Sequence, residues 1–306
     1  MTKIDTLAWC NGEIVPVQDV RVSPLSHSLH YGTGVFEGIR CYAQADTKRG
    51  GVFRLTAHMN RLLASARVLG VDVRWTQDQL VEATLETLRA NAMHEAYVRP
   101  LVWLDEGEMG VAGGNNPVMT MIAVWKWGAY LGDDGLKNGI RVLITSYERS
   151  TVNASAIRAK VTGQYVTSFM AKRQVRALGL DEGLLLDRDG YLSEATGENL
   201  FVIKDGVLVT APDEAPVLHG ITRNTILTLA SDLGIPTELA RFGRSTLYYA
   251  DEAFLTGTAA EVTPIREVDG RALPSSPGPI TKRLQGCYLD LVRGKGKRAA
   301  EWISLV

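Results

Sequence analysis

The sequence predicts a two-domain chain of mixed α+β and α/β character, and three observations carry that reading. The chain has 306 residues, more than the about 100–200 of one typical domain. Segments whose apolar residues recur with helical period alternate with short β-rich runs throughout. The alternation pauses at Gly128-Ala-Tyr-Leu-Gly-Asp-Asp-Gly135, where three glycines and two aspartates mark a boundary. The expected division is a small N-terminal α/β domain over 1–127, a linker over 128–135 and a larger C-terminal α/β domain over 136–306.

The first element is a hairpin, because Trp9-Cys-Asn-Gly-Glu-Ile-Val places Asn11-Gly12 between short apolar runs. Residues 56–70 read as an amphipathic helix with Met59, Leu62, Leu63, Ala66 and Leu69 on one face, Thr56 as its cap and Gly70 as its stop. A second helix follows Thr76-Gln-Asp-Gln79, which has capping-box spacing. The β-rich runs 96–104 and 118–125 flank a loop, Gly107 to Pro117, that carries four glycines. Beyond the linker, 140–147 reads as a strand and 166–178 as a helix stopped by Gly179. Turn signals at Asp187-Arg-Asp-Gly190 and Lys204-Asp-Gly206 make 183–210 a meander of short strands. A helix capped by Thr222 then carries Ile226, Leu229, Ala230 and Leu233 on one face and closes at Gly234 and Pro236.

Composition excludes several classes of function. Hydrophobic residues make up 45% and charged residues 22%, close to the globular averages of about 45–50% and about 25%. With 33 basic and 34 acidic residues the formal charge is -1, which lacks the basic excess that nucleic acid or an anionic membrane would require. Cys10, Cys41 and Cys287 are too few and too scattered for a disulfide framework or a zinc site. The opening Met1-Thr-Lys-Ile-Asp-Thr has no apolar core of a signal peptide, and no run approaches a membrane span. The expectation is a soluble cytoplasmic enzyme with no nucleic-acid or membrane partner.

The common catalytic motifs are missing. No GxxxxGK[ST], GxSxG, HExxH or GxGxxG stands in the chain, and His27, His30, His58, His94 and His219 form no metal-ligand set. Two glycine-punctuated segments remain. Leu218-His-Gly-Ile-Thr-Arg-Asn lies where a helix begins, a place where free N–H groups and the positive dipole end attract an anion. In Thr256-Gly-Thr-Ala-Ala-Glu-Val-Thr-Pro264 small side chains let a ligand approach the backbone. Two such places suggest a phosphorylated cofactor. Each is also an ordinary use of turn residues.

Read with His30-Tyr-Gly-Thr-Gly-Val-Phe-Glu-Gly-Ile-Arg40, Tyr191-Leu-Ser-Glu-Ala-Thr-Gly-Glu-Asn-Leu-Phe201, Gly128-Ala-Tyr-Leu-Gly132 and Glu108-Met-Gly-Val111, these segments make the chain resemble the class IV pyridoxal-phosphate transaminases, most closely the bacterial branched-chain amino acid aminotransferases. The resemblance spans nearly the whole chain. It implies the two-domain class IV fold, like that of D-amino acid aminotransferase, with pyridoxal 5'-phosphate in the crevice between the domains. The stretch Thr151 to Lys160, the Thr162-Gly-Gln-Tyr165 after it and the loop Ala112 to Pro117 depart from the commoner bacterial pattern.

A pyridoxal-phosphate enzyme needs a lysine that bonds the cofactor, a partner for the pyridine nitrogen and a phosphate cup. Ten lysines are present, and the resemblance selects Lys160. Small and apolar neighbours there would partly desolvate the amine, as a nucleophilic lysine requires. By the same resemblance Tyr165 bonds the phenolic oxygen of the cofactor and Glu194 pairs with the ring nitrogen, with Glu198 its rival on chemistry alone. The phosphate falls to Arg61, Ile221, Thr222 and Thr258, and Leu218, Gly220 and Gly257 complete the implied cofactor contacts. Arg61 lies about 200° around its helix from Met59, so periodicity alone puts it in solvent. The implied substrate pocket has Tyr31, Phe36, Trp127 and Tyr130 as its apolar wall, with Gly38 leaving room. Tyr97 and Thr258-Ala259 take the α-carboxylate and Arg99 the distal carboxylate of glutamate. Tyr31 and the Val111 loop reach toward a neighbouring copy in a homodimer or larger homo-oligomer.

The implied reaction is transfer of the amino group of L-leucine, L-isoleucine or L-valine to 2-oxoglutarate, giving the 2-oxo acid and L-glutamate. It runs by a ping-pong cycle in which Lys160 moves the Cα proton. An apolar pocket separates these donors weakly, since one methylene is worth about 1–3 kcal/mol. A D-amino acid or (R)-amine transaminase and an aminodeoxychorismate lyase share the fold and stay open as alternatives. So does a non-catalytic pyridoxal-phosphate binder.

Overall fold

A computed structural model describes residues 5–47, 49–128 and 130–306. Met1–Ile4 of the opening segment and Ala129 of the expected linker lie outside the described residues. In chain order the elements are β1 (Leu7–Cys10), β2 (Glu13–Pro16), α1 (His27–Tyr31), β3 (Val35–Phe36), β4 (Ile39–Ala43), β5 (Gly50–Phe53), α2 (Leu55–Val68), α3 (Gln77–Ala90), β6 (Ala96–Leu104) and β7 (Val118–Trp125). There follow α4 (Asp133–Asn138), β8 (Ile140–Glu148), α5 (Tyr165–Ala177), β9 (Glu182–Leu186), β10 (Leu192–Ala195), β11 (Asn199–Lys204) and β12 (Val207–Thr210). The last are α6 (Ile221–Asp232), β13 (Thr237–Leu239), α7 (Arg244–Tyr248), β14 (Glu252–Gly257), β15 (Glu261–Val268), β16 (Arg271–Ala272), α8 (Pro279–Val292), α9 (Ala299–Trp302) and β17 (Ile303–Leu305).

Two compact units result. One holds the residues up to Trp127 with Ala159–Gln164 and Asp290–Val306; the other holds Gly128–Arg158 and Tyr165–Leu289. The expected division put all of 136–306 in one domain, whereas the chain returns twice to the first unit. Both returns are made by backbone pairing: Val161 bridges Val35, and β17 pairs with β5. Such pairings between residues far apart in the chain leave no local signature. The end of the expected linker is helical instead, because Asp133 and Asp134 stand in the first turn of α4, where the helix dipole favours acidic groups.

The first unit carries an antiparallel sheet in the order β17-β5-β4-β6-β7-β1-β2, with β3 added beside β6. The Asn11-Gly12 turn joins β1 to β2 with φ of 49° and 108°, the positive values a two-residue hairpin turn demands. Thr76 and Gln79 form the complete capping box of α3. The start of α2 differs from expectation. Its N-cap is Arg54, at φ 53°, rather than Thr56, because Arg54 N donates to Trp302 O at 2.6 Å and its guanidinium stacks 4.5 Å over the Trp302 ring. Apolar residues of α2 and α3, among them Met59, Leu62, Leu80 and Leu88, are buried with Ile39, Val98, Ile122 and Val124 of the sheet.

In the second unit the strand order is β10-β9-β8-β15-β14-β11-β12-β13, with parallel pairs at β8–β9, β8–β15 and β12–β13. The meander expected over 183–210 is present as β9 to β12, paired antiparallel in succession. Because β10 also pairs with β11, through Glu194 and Asn199, the strands from β10 round to β11 close on themselves. Ile140, Val142, Ile144, Leu200, Val202, Leu255 and Ile265 belong to the core beneath. Helix α6 starts at Ile221 with Gly220 as N-cap, so Thr222 lies inside the first turn instead of capping it. Among the described residues no helix is long and apolar enough to cross a membrane.

Candidate active site

The residues that the resemblance singles out fall into two groups, one in each unit. In the first unit Lys160 stands on the short returning segment. Its N–H donates to Ser65 Oγ at 3.0 Å and its carbonyl accepts from Phe36 N at 3.1 Å. Thr162 N and Gly163 N donate to Gly34 O and Gly32 O at 2.8 and 3.1 Å. Two glycines permit this approach: a Cβ on Gly32, at φ 66°, would stand 2.5 Å from Gly163 Cα. Thus fixed, the lysine backbone lies along β3, with Nζ 4.8 Å from the centre of the Phe36 ring.

Periodicity put Arg61 in solvent, and the structure turns it inward. Glu37, fully buried, accepts from Arg61 Nε at 2.6 Å and Nη2 at 3.0 Å, from His58 Nδ1 at 2.7 Å and from Gly38 N at 3.2 Å. Burial pushes the Glu37 carboxyl up, but the charge of Arg61 and the hydrogen bonds from Arg61 and His58 outweigh it and hold the group well below the usual carboxylate range. For His58 burial wins over Glu37 and the pKa falls, so the imidazole is neutral at pH 7. The guanidinium is thereby oriented by a fixed, buried anion.

On β6 the period of two puts Tyr97 and Arg99 on one face. The Arg99 guanidinium sits 4.9 Å from the Phe36 ring centre and 5.8 Å from that of Trp125, and Nη2 donates to the Tyr97 hydroxyl at 3.3 Å. Trp127 meets Tyr97 edge-on at 4.6 Å. A Cβ on Gly38 would overlap the Tyr97 hydroxyl. Phe36, Gly38, Tyr97, Arg99, Trp127 and Lys160 are therefore assembled into an aromatic surface with two cations. Tyr31 and Val111 stand apart from it. The Tyr31 hydroxyl donates to Met109 O at 2.8 Å in the glycine-rich loop, whose Val111 is 77% exposed. His27 anchors the same loop through Gly110 O, and its other ring nitrogen bonds Thr33 Oγ1 beyond α1.

In the second unit Glu194 is the centre. Its Oε2 accepts from Leu218 N at 2.9 Å and Asn199 Nδ2 at 3.1 Å. Arg149 Nε lies 2.8 Å from Oε1, an ion pair outside linear hydrogen-bond geometry. Gly220, Ile221 and Thr222 follow Leu218 at the start of α6, where no side chain caps the helix. That leaves first-turn N–H groups for an anion. Helix α6 packs on β14, which ends at Gly257 and passes into Thr258 and Ala259. Tyr165 begins α5. Tyr130 belongs to this unit, where Lys172 Nζ lies 5.2 Å from its ring centre. Glu198, the rival of Glu194, is raised to about 8 by burial and then by the charge of Glu182. Its carboxyl resists ionisation, which suits it poorly to hold a protonated ring nitrogen.

Sequence reasoning missed Glu37, His58, Arg149 and Asn199. An isolated acid between Phe36 and Gly38 was the one available signal for Glu37. Arg149 and Asn199 acquire their roles through pairing across the chain.

The donor set fits a phosphorylated aromatic cofactor and a carboxylate substrate. Arg99 Nε in the first unit and Thr256 Oγ1 in the second are buried with no hydrogen-bond partner among the described residues, and α6 presents an uncapped start. Among the described residues no cluster of His, Cys, Asp and Glu could hold a metal.

Comparison with known proteins agrees. The amino-transferase class IV family model matches residues 34–268. The branched-chain-amino-acid aminotransferase of Pseudomonas aeruginosa is 46% identical, covering 100% of this chain and 99% of that protein. The crystal structure of the Escherichia coli branched-chain amino acid aminotransferase superposes with a TM-score of 0.95 at 42% identity, over 98% of this chain and 99% of that one. The branched-chain amino acid aminotransferase of Thermobaculum terrenum, a holo-form containing pyridoxal phosphate, gives 0.91 at 30% identity, over 98% of each chain. The chain belongs to the class IV aminotransferases, and its cofactor is pyridoxal 5'-phosphate.

Proposed function

We propose that the enzyme is a branched-chain amino acid transaminase that passes the amino group of L-leucine, L-isoleucine or L-valine to 2-oxoglutarate. The observation that carries this reading is Arg99, a cation held among the rings of Phe36, Tyr97 and Trp125 with a buried Nε that has no hydrogen-bond partner among the described residues. A surface of aromatic rings accepts a branched aliphatic chain, and one cation within it accepts the distal carboxylate of glutamate. The names of the relatives support branched-chain amino acids as donors.

The residues that would hold the cofactor are Lys160, Arg61, Tyr165, Glu194, Leu218, Gly220, Ile221, Thr222, Gly257 and Thr258. When bound, the cofactor supplies an electron sink for the pair left on Cα. Lys160 would be the residue that holds the cofactor, and its amine would take the proton from substrate Cα. Glu194 would face the ring nitrogen with its carboxylate, while Arg61 and the start of α6 would take the phosphate. Tyr97 and the backbone at Thr258-Ala259 orient the α-carboxylate. The exposed Tyr31 and Val111 suit an assembly of at least two copies, in which they approach a neighbouring site.

A donor panel with 2-oxoglutarate tests the reading. L-Leucine, L-isoleucine and L-valine are the expected donors; turnover restricted to D-amino acids or (R)-amines would replace it with the alternative activity of the same fold. Arg99→Ala should lower kcat/KM for 2-oxoglutarate by about 30-fold or more, the loss of a charged hydrogen-bonded pair, and for L-leucine by less than about tenfold. Equal losses would remove Arg99 from this role.

A further inference from the structure

We infer that Asn199 is a positioning residue that locks the partner of the ring nitrogen to the phosphate-binding turn, so that the cofactor's two ends are gripped by one rigid piece of the second unit. The inference rests on the reading above that Glu194 faces the ring nitrogen and the start of α6 the phosphate.

Three independent features meet at Asn199. The first is its backbone: the register pair Glu194–Asn199 is the contact between β10 and β11 that closes the strands on themselves, and on its other side Asn199 pairs with Thr256, just before Gly257 and Thr258. The second is its side chain, 5% exposed as a residue, whose Nδ2 donates to Glu194 Oε2 at 3.1 Å and to Leu218 O at 2.9 Å. Leu218 N returns a hydrogen bond of 2.9 Å to the same Glu194 oxygen. The carboxylate, the amide and the turn thus form a closed ring of hydrogen bonds. The third is steric: Asn199 Oδ1 occupies the place a Cβ on Gly220 would take, so the N-cap of α6 sits against this amide.

The chemistry requires an asparagine. One Nδ2 must donate twice, to a carboxylate and to a carbonyl, and an amide nitrogen has two hydrogens for it. Aspartate would set a second anion against Glu194, and serine offers one donor only. Glutamine would carry its amide one methylene too far for a pocket bounded by Gly220.

Equilibrium binding of pyridoxal 5'-phosphate to the apoprotein, read by absorbance, tests this with Asn199→Ala, Asn199→Ser and Asn199→Asp against Glu194→Gln and the double variant Asn199→Ala/Glu194→Gln. Asn199→Ala should weaken the cofactor about 10- to 100-fold, the scale of losing a hydrogen bond to a charged group. Asn199→Ser should fall between it and wild type, and Asn199→Asp should be weakest. If Asn199 acts through Glu194, the double variant should bind no more than about threefold worse than Glu194→Gln alone, a non-additivity that general damage to the fold does not produce. Wild-type affinity in Asn199→Ala, or losses that multiply in the double variant, would overturn the inference while leaving the site assignment intact. Unchanged affinity and spectrum in Glu194→Gln would overturn both together.

Discussion

Glu37 in the first unit and Glu198 in the second are both buried carboxylates, yet they titrate in opposite directions. Around Glu37, burial is outweighed by Arg61 and His58 in direct contact, and the group stays ionised. Around Glu198, burial is reinforced by the neighbouring Glu182 and only partly relieved by Lys172 and Gly197 N, and the pKa rises to about 8. Lys172 is engaged by Glu182, which also accepts from Thr196 Oγ1 at 2.6 Å and Gly183 N at 2.7 Å. Burial alone therefore does not decide the charge of a carboxylate. A cation in contact does, and where one lysine serves two acids the second resists ionisation.

Substitutions can break this contrast. The largest effect is expected from Glu37→Gln, which leaves the Arg61 guanidinium without its anion and should cost about 3–5 kcal/mol, read as a lowered melting temperature at pH 7. A depressed folded pKa means that Glu37 stabilises fully above its usual value of 4.5 and loses that contribution as pH falls below it. The gap between variant and wild type should shrink on acidification; a gap constant with pH would refute the charge argument. Thr196→Val removes a hydrogen bond to Glu182 and should cost about 1.5–3 kcal/mol. Preserved stability there would mean that the Thr196 hydroxyl does not hold Glu182 in place.

The smallest effect is expected from Glu198→Gln in acid. Below pH 4.5 both folded and unfolded states carry the proton, and the variant should match wild type within about 1 kcal/mol. From pH 4.5 to about 8 the folded group resists ionisation that the unfolded chain undergoes, so wild type loses stability relative to the variant. A variant that falls behind wild type as pH rises would reverse the sign and exclude a raised pKa.

What the sequence made legible was local. Asn11-Gly12, Thr76 with Gln79, and the stops at Gly179 and Gly234 are each determined by a few consecutive residues, and the structure has them. The α2 cap moved to Arg54 because Trp302, far away in sequence, docks there. Arg61 looked solvated because its helix face says nothing of Glu37, twenty-four residues earlier. Arg149 and Asn199 were invisible for the same reason: their partners Glu194 and Leu218 lie forty-five and nineteen residues further along the chain. The candidate residues were reached through several motifs read jointly, since no single lysine or glycine turn announces its chemistry.

The central claim is that Lys160, alone among the ten lysines, carries the cofactor. Borohydride reduction of the loaded enzyme followed by peptide mass mapping measures this directly. A single phosphopyridoxyl adduct on the peptide containing Lys160, absent from Lys160→Ala, is the predicted result. An adduct on Lys172 or any other lysine, or none on the yellow wild-type protein, would contradict it.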